Sequence, residues 1–162
     1  MYQKIMVPLD GSELAECVLP HVEFMAKKCQ VSEITFVRVV EPVHYPIGMV
    51  SDGWSVLTAE EAKRTREEVH AYNRAAAEDY LSQLLSRLDY DGVSLRFEVI
   101  DGKAADSLVG FAENNKTDLI IIATHGRSGV SRWVWGSVAE RVLRSASMPV
   151  LMVRATGCLP DA

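Results

Sequence analysis

The chain has 162 residues, of which 48% are hydrophobic and 24% are charged. This length and composition are typical of one globular domain that buries a sizeable core. The net charge of −5 argues against a nucleic-acid-binding surface, and no segment is apolar for long enough to span a bilayer. We therefore expect neither a nucleic-acid partner nor a membrane partner.

The spacing of cysteines and histidines favours neither disulfides nor a metal site. Cys17, Cys29 and Cys158 are odd in number and lack C-x-x-C spacing, and the amino terminus runs into a strand without a signal-peptide pattern. These features predict a cytoplasmic location with free thiols. The histidines are scattered without ligand spacing, so we expect no zinc site.

Short β-rich runs alternate with longer helical patterns along the chain, which is typical of a parallel α/β sheet. The patterns predict strands at 3–8, 33–40, 94–100, 118–123 and 149–154, and helices at 12–29, 58–88, 103–114 and 137–146. The last two strands are almost purely apolar, as expected where helices cover both faces of a sheet. In the long second helix, three- and four-residue steps predict one buried stripe: Val69, Tyr72, Ala76, Tyr80, Leu84 and Leu88.

Two segments fall outside this alternation. Residues 41–57 contain two prolines and two glycines without a clear period, so they form either a lid over a site or a variable surface insertion, and we favour the insertion slightly. Residues 156–162 are expected to be a flexible tail, so the folded domain is predicted to span 1–155. Arg38 alternates with Val37 and Val39, and we interpret it as a paired residue of the second strand.

The glycine-rich segment after the fourth strand is the most informative part of the chain. Gly126, Gly129 and Gly136 follow the apolar run that ends at Ala123, and residues 137–140 form a capping-box pattern that begins a helix. Glycines let the backbone approach an anion closely, and a helix amino terminus attracts negative charge. The segment therefore predicts a phosphate site. The alternative is a loop in which the chain merely turns, because neither the P-loop pattern nor G-x-G-x-x-G is present.

The spacing Ala123-x2-Gly126-x9-Gly136-Ser137 resembles the G-x2-G-x9-G-(S/T) signature of ATP-binding universal stress proteins. Three further segments resemble the first, second and last strands of that family: 5–12, 37–42 and 148–153. The resemblance covers nearly the whole chain. One position departs from the signature, because Ala123 stands where the family has its first glycine.

The resemblance implies a single Rossmann-like α/β domain with a five-stranded parallel sheet in the order 3-2-1-4-5 and helices on both faces. Crossover rules allow this order among others. In it, the first and fourth strands are neighbours, and the crevice at their carboxyl ends is where open α/β sheets bind ligands. Pro8, Leu9 and Asp10 would close one side of this crevice, and the loop from Ala123 to Ser137 would close the other.

The same resemblance implies an adenine nucleotide (ATP, ADP or AMP) in this crevice. Asp10 suits its ribose or adenine end because a carboxylate only accepts hydrogen bonds; with equal weight, residues 10–13 can form a capping box for the first helix. Val39 resembles the position whose backbone meets adenine, and its alternative role is ordinary core. The candidate phosphate contacts, through which a Mg²⁺ ion could also be held, are the N–H groups of Gly126, Arg127, Gly136, Ser137 and Val138, in the loop that includes Gly129.

The implied function is a cytoplasmic homodimer that binds ATP or a related nucleotide as a sensor or regulator in the stress response, with at most weak ATP hydrolysis. Whether the chain is an enzyme stays open, and we assign no catalytic residue. No Glu or Asp occurs between Asp118 and Glu140 to serve as a base, which favours a binding module. The alternatives are an adenylating or ATP-hydrolysing enzyme of a related fold and a nucleotide-free dimeric interaction module. In the nucleotide-binding homodimer and in the nucleotide-free dimer alike, strand 149–154 is predicted to pair with the same strand of the second copy.

Overall fold

A computed structural model describes residues 2–43, 59–124 and 137–154. The strands are β1 (Lys4–Pro8), β2 (Glu33–Val40), β3 (Ser94–Asp101), β4 (Leu119–Thr124) and β5 (Val150–Arg154). The helices are α1 (Glu13–Glu16), α2 (Leu19–Lys28), α3 (Ala59–Ser86), α4 (Ala104–Asn114) and α5 (Ser137–Ser145). Each predicted strand is confirmed to within one residue at either end.

The helix predicted over 12–29 is two helices in the structure, and Pro20 explains the break. Proline has no N–H to donate to the carbonyl of Glu16, four residues earlier, and its ring crowds that carbonyl. α1 accordingly ends at Glu16, and Pro20 lies in the first turn of α2, where proline is tolerated. The prediction of one continuous helix was therefore wrong.

The five strands form one parallel sheet in the order β3-β2-β1-β4-β5, which confirms the predicted topology. β2 pairs with β3 along its whole length, from Glu33 to Val40, and β4 pairs with β5 up to its last residue, Thr124. β1 therefore lies in the middle of the sheet with β2 and β4 as its neighbours. The two neighbours of β1 come from opposite halves of the chain, so a switch in winding direction occurs at β1.

Alternate residues of each strand enter two separate cores, one on each face of the sheet. The first core packs strand residues under α1, α2 and α3, and the second packs the intervening residues under α4 and α5. Consecutive residues such as Phe36 and Val37 or Ile121 and Ile122 belong to opposite cores. β1 and β4 are mostly apolar because both of their faces are covered, and the prediction of helices on both faces is confirmed.

From Tyr80 toward its amino terminus, α3 buries a different stripe from the one predicted. Ala77 and Leu84 are buried, whereas Tyr72 is 75% exposed and Ala76 is exposed. From Tyr80, a helical stripe can continue toward the amino terminus by a step of four to Ala76 or by a step of three to Ala77. Both steps are compatible with one helix face, and packing against β2 and β3 selects the second.

Asp118 joins the starts of β1 and β4. Its Oδ2 atom accepts hydrogen bonds from the backbone N–H groups of Lys4 at 2.8 Å and Gln3 at 2.9 Å. Its own N–H donates to the Lys4 carbonyl at 2.8 Å. The backbone N–H groups of Lys4 and Gln3 lower the pKa of Asp118 below its ordinary value of 3.8, because they favour the ionised carboxylate.

Replacing Asp118 with Asn is expected to lower the free energy of unfolding at pH 7 by about 1 kcal/mol, since a neutral amide accepts these bonds less strongly and the site is partly exposed. The folded-state pKa is depressed, so the stabilisation is present above the ordinary pKa of 3.8 and disappears as the pH falls through the lower folded-state value. Urea unfolding from pH 7 to pH 3 measures this. A difference between wild type and variant that stays constant over the whole range would contradict the prediction.

Candidate functional site

The pairing between β1 and β4 ends before the carboxyl ends of the two strands, in the middle of the sheet, where the sequence predicts a crevice. The pairing between these strands reaches only to Met6 and Ile120. Beyond that pair β1 follows β2, since the Leu9 N–H donates to the Val37 carbonyl at 2.9 Å. β4 instead follows β5 to its end. This geometry is the switch point at which open α/β sheets bind ligands.

Pro8 provides a physical reason why the pairing between β1 and β4 ends there. Successive residues of a strand direct their N–H groups to alternate sides. The Leu9 N–H points to β2, and the Lys4 carbonyl points to the start of β4. By alternation, the backbone nitrogen of residue 8 is on the side of β4. Proline has no N–H, and β1 therefore lacks the donor that would extend its pairing with β4.

The turn after β1 presents Asp10 at the edge of the crevice. Leu9 is 4% exposed, and Asp10 beyond it is exposed. The Asp10 Oδ1 atom accepts hydrogen bonds from the Ser12 N–H at 2.9 Å and the Ser12 hydroxyl at 2.6 Å. The Ser12 Oγ atom accepts from the Ala15 N–H at 3.2 Å, so Ser12 is the N-cap of α1. The capping box with Asp10 as its cap was therefore a wrong prediction, and Asp10 orients the cap instead.

The other side of the predicted crevice would consist of the end of β4 and the start of α5. Ala123 is partly buried and packs against the core beneath α1, α2 and α3. Ser137 is the first residue of α5, and both it and Val138 are exposed at the positive end of the helix dipole. Glu140, the last residue of the predicted capping-box pattern, forms an ion pair within α5, with its Oε1 atom 2.6 Å from Arg144 Nη2. Four predicted contacts lie outside the described residues: Gly126, Arg127, Gly129 and Gly136.

β2 supplies two further residues near this edge of the sheet. Val39 is partly buried against the core beneath α4 and α5, on the opposite face from Arg38. The Arg38 guanidinium lies 5.3 Å from the centroid of the Tyr80 ring. Arg38 is paired in the sheet, opposite Val99 of β3, as predicted, and its guanidinium makes a cation–π contact with Tyr80.

Tyr80 is held in place under Arg38 by a hydrogen bond. Its hydroxyl donates to Glu16 Oε1 at 3.0 Å. Burial, followed by this hydrogen bond, raises the pKa of Tyr80 well above its ordinary value of 10.0. The phenol is therefore a neutral donor at all physiological pH values. The sequence gives no signal for this contact, since Tyr80 and Glu16 are 64 positions apart.

Within 2–43, 59–124 and 137–154, no three His, Cys, Asp or Glu side chains are grouped so that they could hold a metal ion. The helices of that part of the chain include none with the length and apolar character needed to cross a membrane.

The sheet order and the helices on both faces define a Rossmann-like α/β protein, with the switch in winding direction at β1. The sequence profile of the Universal stress protein family matches residues 1–154. The chain therefore belongs to the universal stress protein family.

Individual relatives agree with this assignment. The chain is 32% identical to Universal stress protein MJ0531 of Methanocaldococcus jannaschii over 154 residues, which cover 95% of this chain and 83% of the relative. The solved structure of protein MJ0577 from the same organism superposes with a TM-score of 0.74 at 23% identity, covering 100% of this chain and 99% of the other. A family member from Arabidopsis thaliana, solved with AMP bound, gives a TM-score of 0.59 at 15% identity, covering 94% and 91%. The two structural similarities concern the fold.

Proposed function

We propose that this chain binds an adenine nucleotide (ATP, ADP or AMP) in the crevice between β1 and β4 and acts as a regulatory module with at most weak ATP hydrolysis. The observation that carries the proposal is the end of the pairing between these two strands at Met6 and Ile120, while β1 continues along β2 and β4 continues along β5. In this site, Asp10 would be an acceptor on one side and the start of α5 would lie on the other. The AMP bound to the Arabidopsis relative supports the choice of ligand.

The chemistry of the two sides suggests the direction in which the nucleotide lies. The start of α5, at Ser137 and Val138, offers N–H groups and a positive dipole end, which suit phosphates. Asp10 is acceptor-only and would repel phosphates, so it suits a ribose hydroxyl or the adenine amino group. A carboxylate accepts several hydrogen bonds at once, and the contact with Ser12 is compatible with this role.

The remaining contacts follow from this direction. The backbone of Val39 and the β1 end, with Pro8 and Leu9, would lie near the adenosine, and Ala123 would lie at the floor of the crevice. A Mg²⁺ ion would be held through the phosphates. The remaining phosphate contacts would come from the loop between Ala123 and Ser137, which contains Gly126, Arg127, Gly129 and Gly136.

Mass spectrometry of the gently purified protein under native conditions tests the proposal. The expected result is a mass increase that corresponds to a retained adenine nucleotide, or that appears when ATP, ADP or AMP is added. If no adenine nucleotide binds by this method or by calorimetry, the nucleotide-free dimeric module becomes the better reading. Incubation with labelled ATP then separates a binding module, with slow or no turnover, from an ATP-hydrolysing or adenylating enzyme.

Replacing Ala123 with Gly is expected to preserve or tighten nucleotide affinity, because it restores the first glycine of the family signature. The same change removes a methyl group that packs against the core and adds backbone freedom, so stability should fall by about 0.5–1 kcal/mol. Calorimetric titration and thermal unfolding of both proteins measure the two effects. A variant with weaker affinity would show that Ala123 is not the first position of the signature.

A further inference from the structure

We infer that Arg38 is a positioning residue, which holds the Asp10 turn at a fixed distance from β2 and thereby sets the width of the adenosine end of the crevice. This inference rests on the proposed nucleotide site. It concerns a side chain outside the family signature, on the face of β2 opposite to Val39.

The first observation is the close packing of Arg38 against Gly11. A Cβ atom at Gly11 would lie 2.9 Å from Arg38 Nη1 and 3.1 Å from Arg38 Cζ. The guanidinium therefore fills the space that a side chain at Gly11 would need. Gly11 also has a φ of +87°, a conformation that favours glycine, so this turn requires glycine for two reasons.

The second observation is that the guanidinium has a fixed support on its other side. It lies 5.3 Å from the centroid of the Tyr80 ring, and the Tyr80 hydroxyl is bonded to Glu16 in α1. An arginine stacked on an aromatic face loses fewer conformations than a solvated one, and its planar group is well suited to such packing. Arg38 is therefore held between α3 and the turn that follows β1.

The consequence concerns the two proposed contacts of the adenosine. Asp10 precedes Gly11 and accepts from the N–H and the hydroxyl of Ser12, so the position of Gly11 fixes that of the carboxylate. Val39 follows Arg38 directly on β2. The residue that supports the turn is thus next to the residue whose backbone would meet adenine, and a shift at Arg38 would change the distance between the two contacts.

The test uses Arg38→Met, which keeps the aliphatic stem and removes the guanidinium, with Arg96→Met as the matched control. Arg96 is on β3, where its Nε atom lies 3.3 Å from Glu33 Oε2, outside the crevice turn. The first measurement is the hydrogen-exchange rate of the Ser12 amide by NMR, without nucleotide. Exchange should be several-fold faster in Arg38→Met and unchanged in Arg96→Met, because the bond to Asp10 opens more often. An unchanged rate in Arg38→Met would overturn the inference.

The second measurement is the Kd for adenosine, AMP and ATP. Arg38→Met should weaken all three by a similar factor of about ten, the equivalent of one well-placed hydrogen bond. A loss that grows with the number of phosphates would mean that Arg38 contacts phosphate directly, and an equal loss in Arg96→Met would mean general destabilisation. Either result overturns the positioning role.

The outcomes also separate this inference from the proposed function. If wild type binds nucleotide and Arg38→Met binds it equally well, only the positioning role fails. If wild type binds none of the three ligands, the proposed function fails, and Ser12 exchange alone decides whether Arg38 holds the turn. If Arg38→Met does not fold, Arg38→Lys replaces it, because lysine keeps the charge and loses the planar group. Faster Ser12 exchange and weaker binding of all three ligands are then expected, both by smaller factors.

Discussion

Adding ATP, ADP or AMP at one hundred times its Kd is expected to raise the free energy of unfolding by about 2.7 kcal/mol, because the ligand binds the folded state and not the unfolded chain. For a domain of this size, the melting temperature should rise by roughly 5–10 °C. Differential scanning calorimetry over a range of nucleotide concentrations measures this shift. If all three nucleotides leave the melting temperature unchanged at millimolar concentration, the nucleotide site is refuted.

A pair of aspartate variants makes this experiment specific to the crevice. Asp10→Ala removes the proposed acceptor of the adenosine end, so the ligand-induced shift should shrink for all three nucleotides. Asp79→Ala is the control, since Asp79 is exposed on α3, where it accepts a hydrogen bond from Gln83 at 2.8 Å. Each shift is a difference within one variant, so any loss of basal stability cancels. Equal shifts in the two variants would exclude Asp10 from the site.

Hydrophobic periodicity predicted the strands and most helices because each element buries a face that repeats along the chain. The order of the strands required more than periodicity, since crossover rules permit several orders and the family resemblance selected one. The break before Pro20 could have been predicted from the sequence alone. Proline cannot donate a hydrogen bond to the carbonyl four residues earlier in a helix. For Pro20 that carbonyl belongs to Glu16, which is where α1 ends.

Other features depend on contacts between distant segments and leave no local pattern. Asp118 accepts from backbone N–H groups more than a hundred positions away, and an aspartate before a strand has no distinctive spacing. The position of Arg38 depends on Tyr80 in another element. The choice of the α1 cap is a local feature, but residues 10–13 allow either Asp10 or Ser12 as the cap, so the sequence left it open. Asp118 lies at the amino ends of β1 and β4, whereas Arg38 and Ser12 support the turn at the carboxyl end of β1.

The two edges of the sheet differ in a way that bears on assembly. β3 carries exposed charged residues such as Arg96 and Glu98, which discourage pairing with another strand. β5, at the opposite edge, has the sequence Val-Leu-Met-Val-Arg, and Leu151 is 37% exposed. An apolar edge strand tends to pair with another chain. A two-fold axis beside β5 would satisfy its outward backbone groups with the same groups of a second copy, which favours a homodimer through 149–154.

Met152 is the position at which this dimer is best tested. The Ile120 N–H donates to the Pro149 carbonyl at 3.0 Å, so the backbone N–H and C=O groups of the odd-numbered residues in this segment point toward β4. The N–H of Met152 therefore points to the outer edge of the sheet. A proline at Leu151 would therefore break the sheet itself. Met152→Pro removes an outward donor, and edge strands tolerate proline, so it is expected to yield a folded monomer.

Met152→Ala is the matched control, because it loses the same side chain and keeps the N–H. The dimer should persist in Met152→Ala and be lost in Met152→Pro, since backbone pairing and not the methionine side chain joins the copies. Light scattering at micromolar concentration measures the mass of each protein, and circular dichroism verifies that each is folded. A monomeric wild type, or a Met152→Pro variant that remains fully dimeric, would show that the copies do not pair through the outer edge of β5.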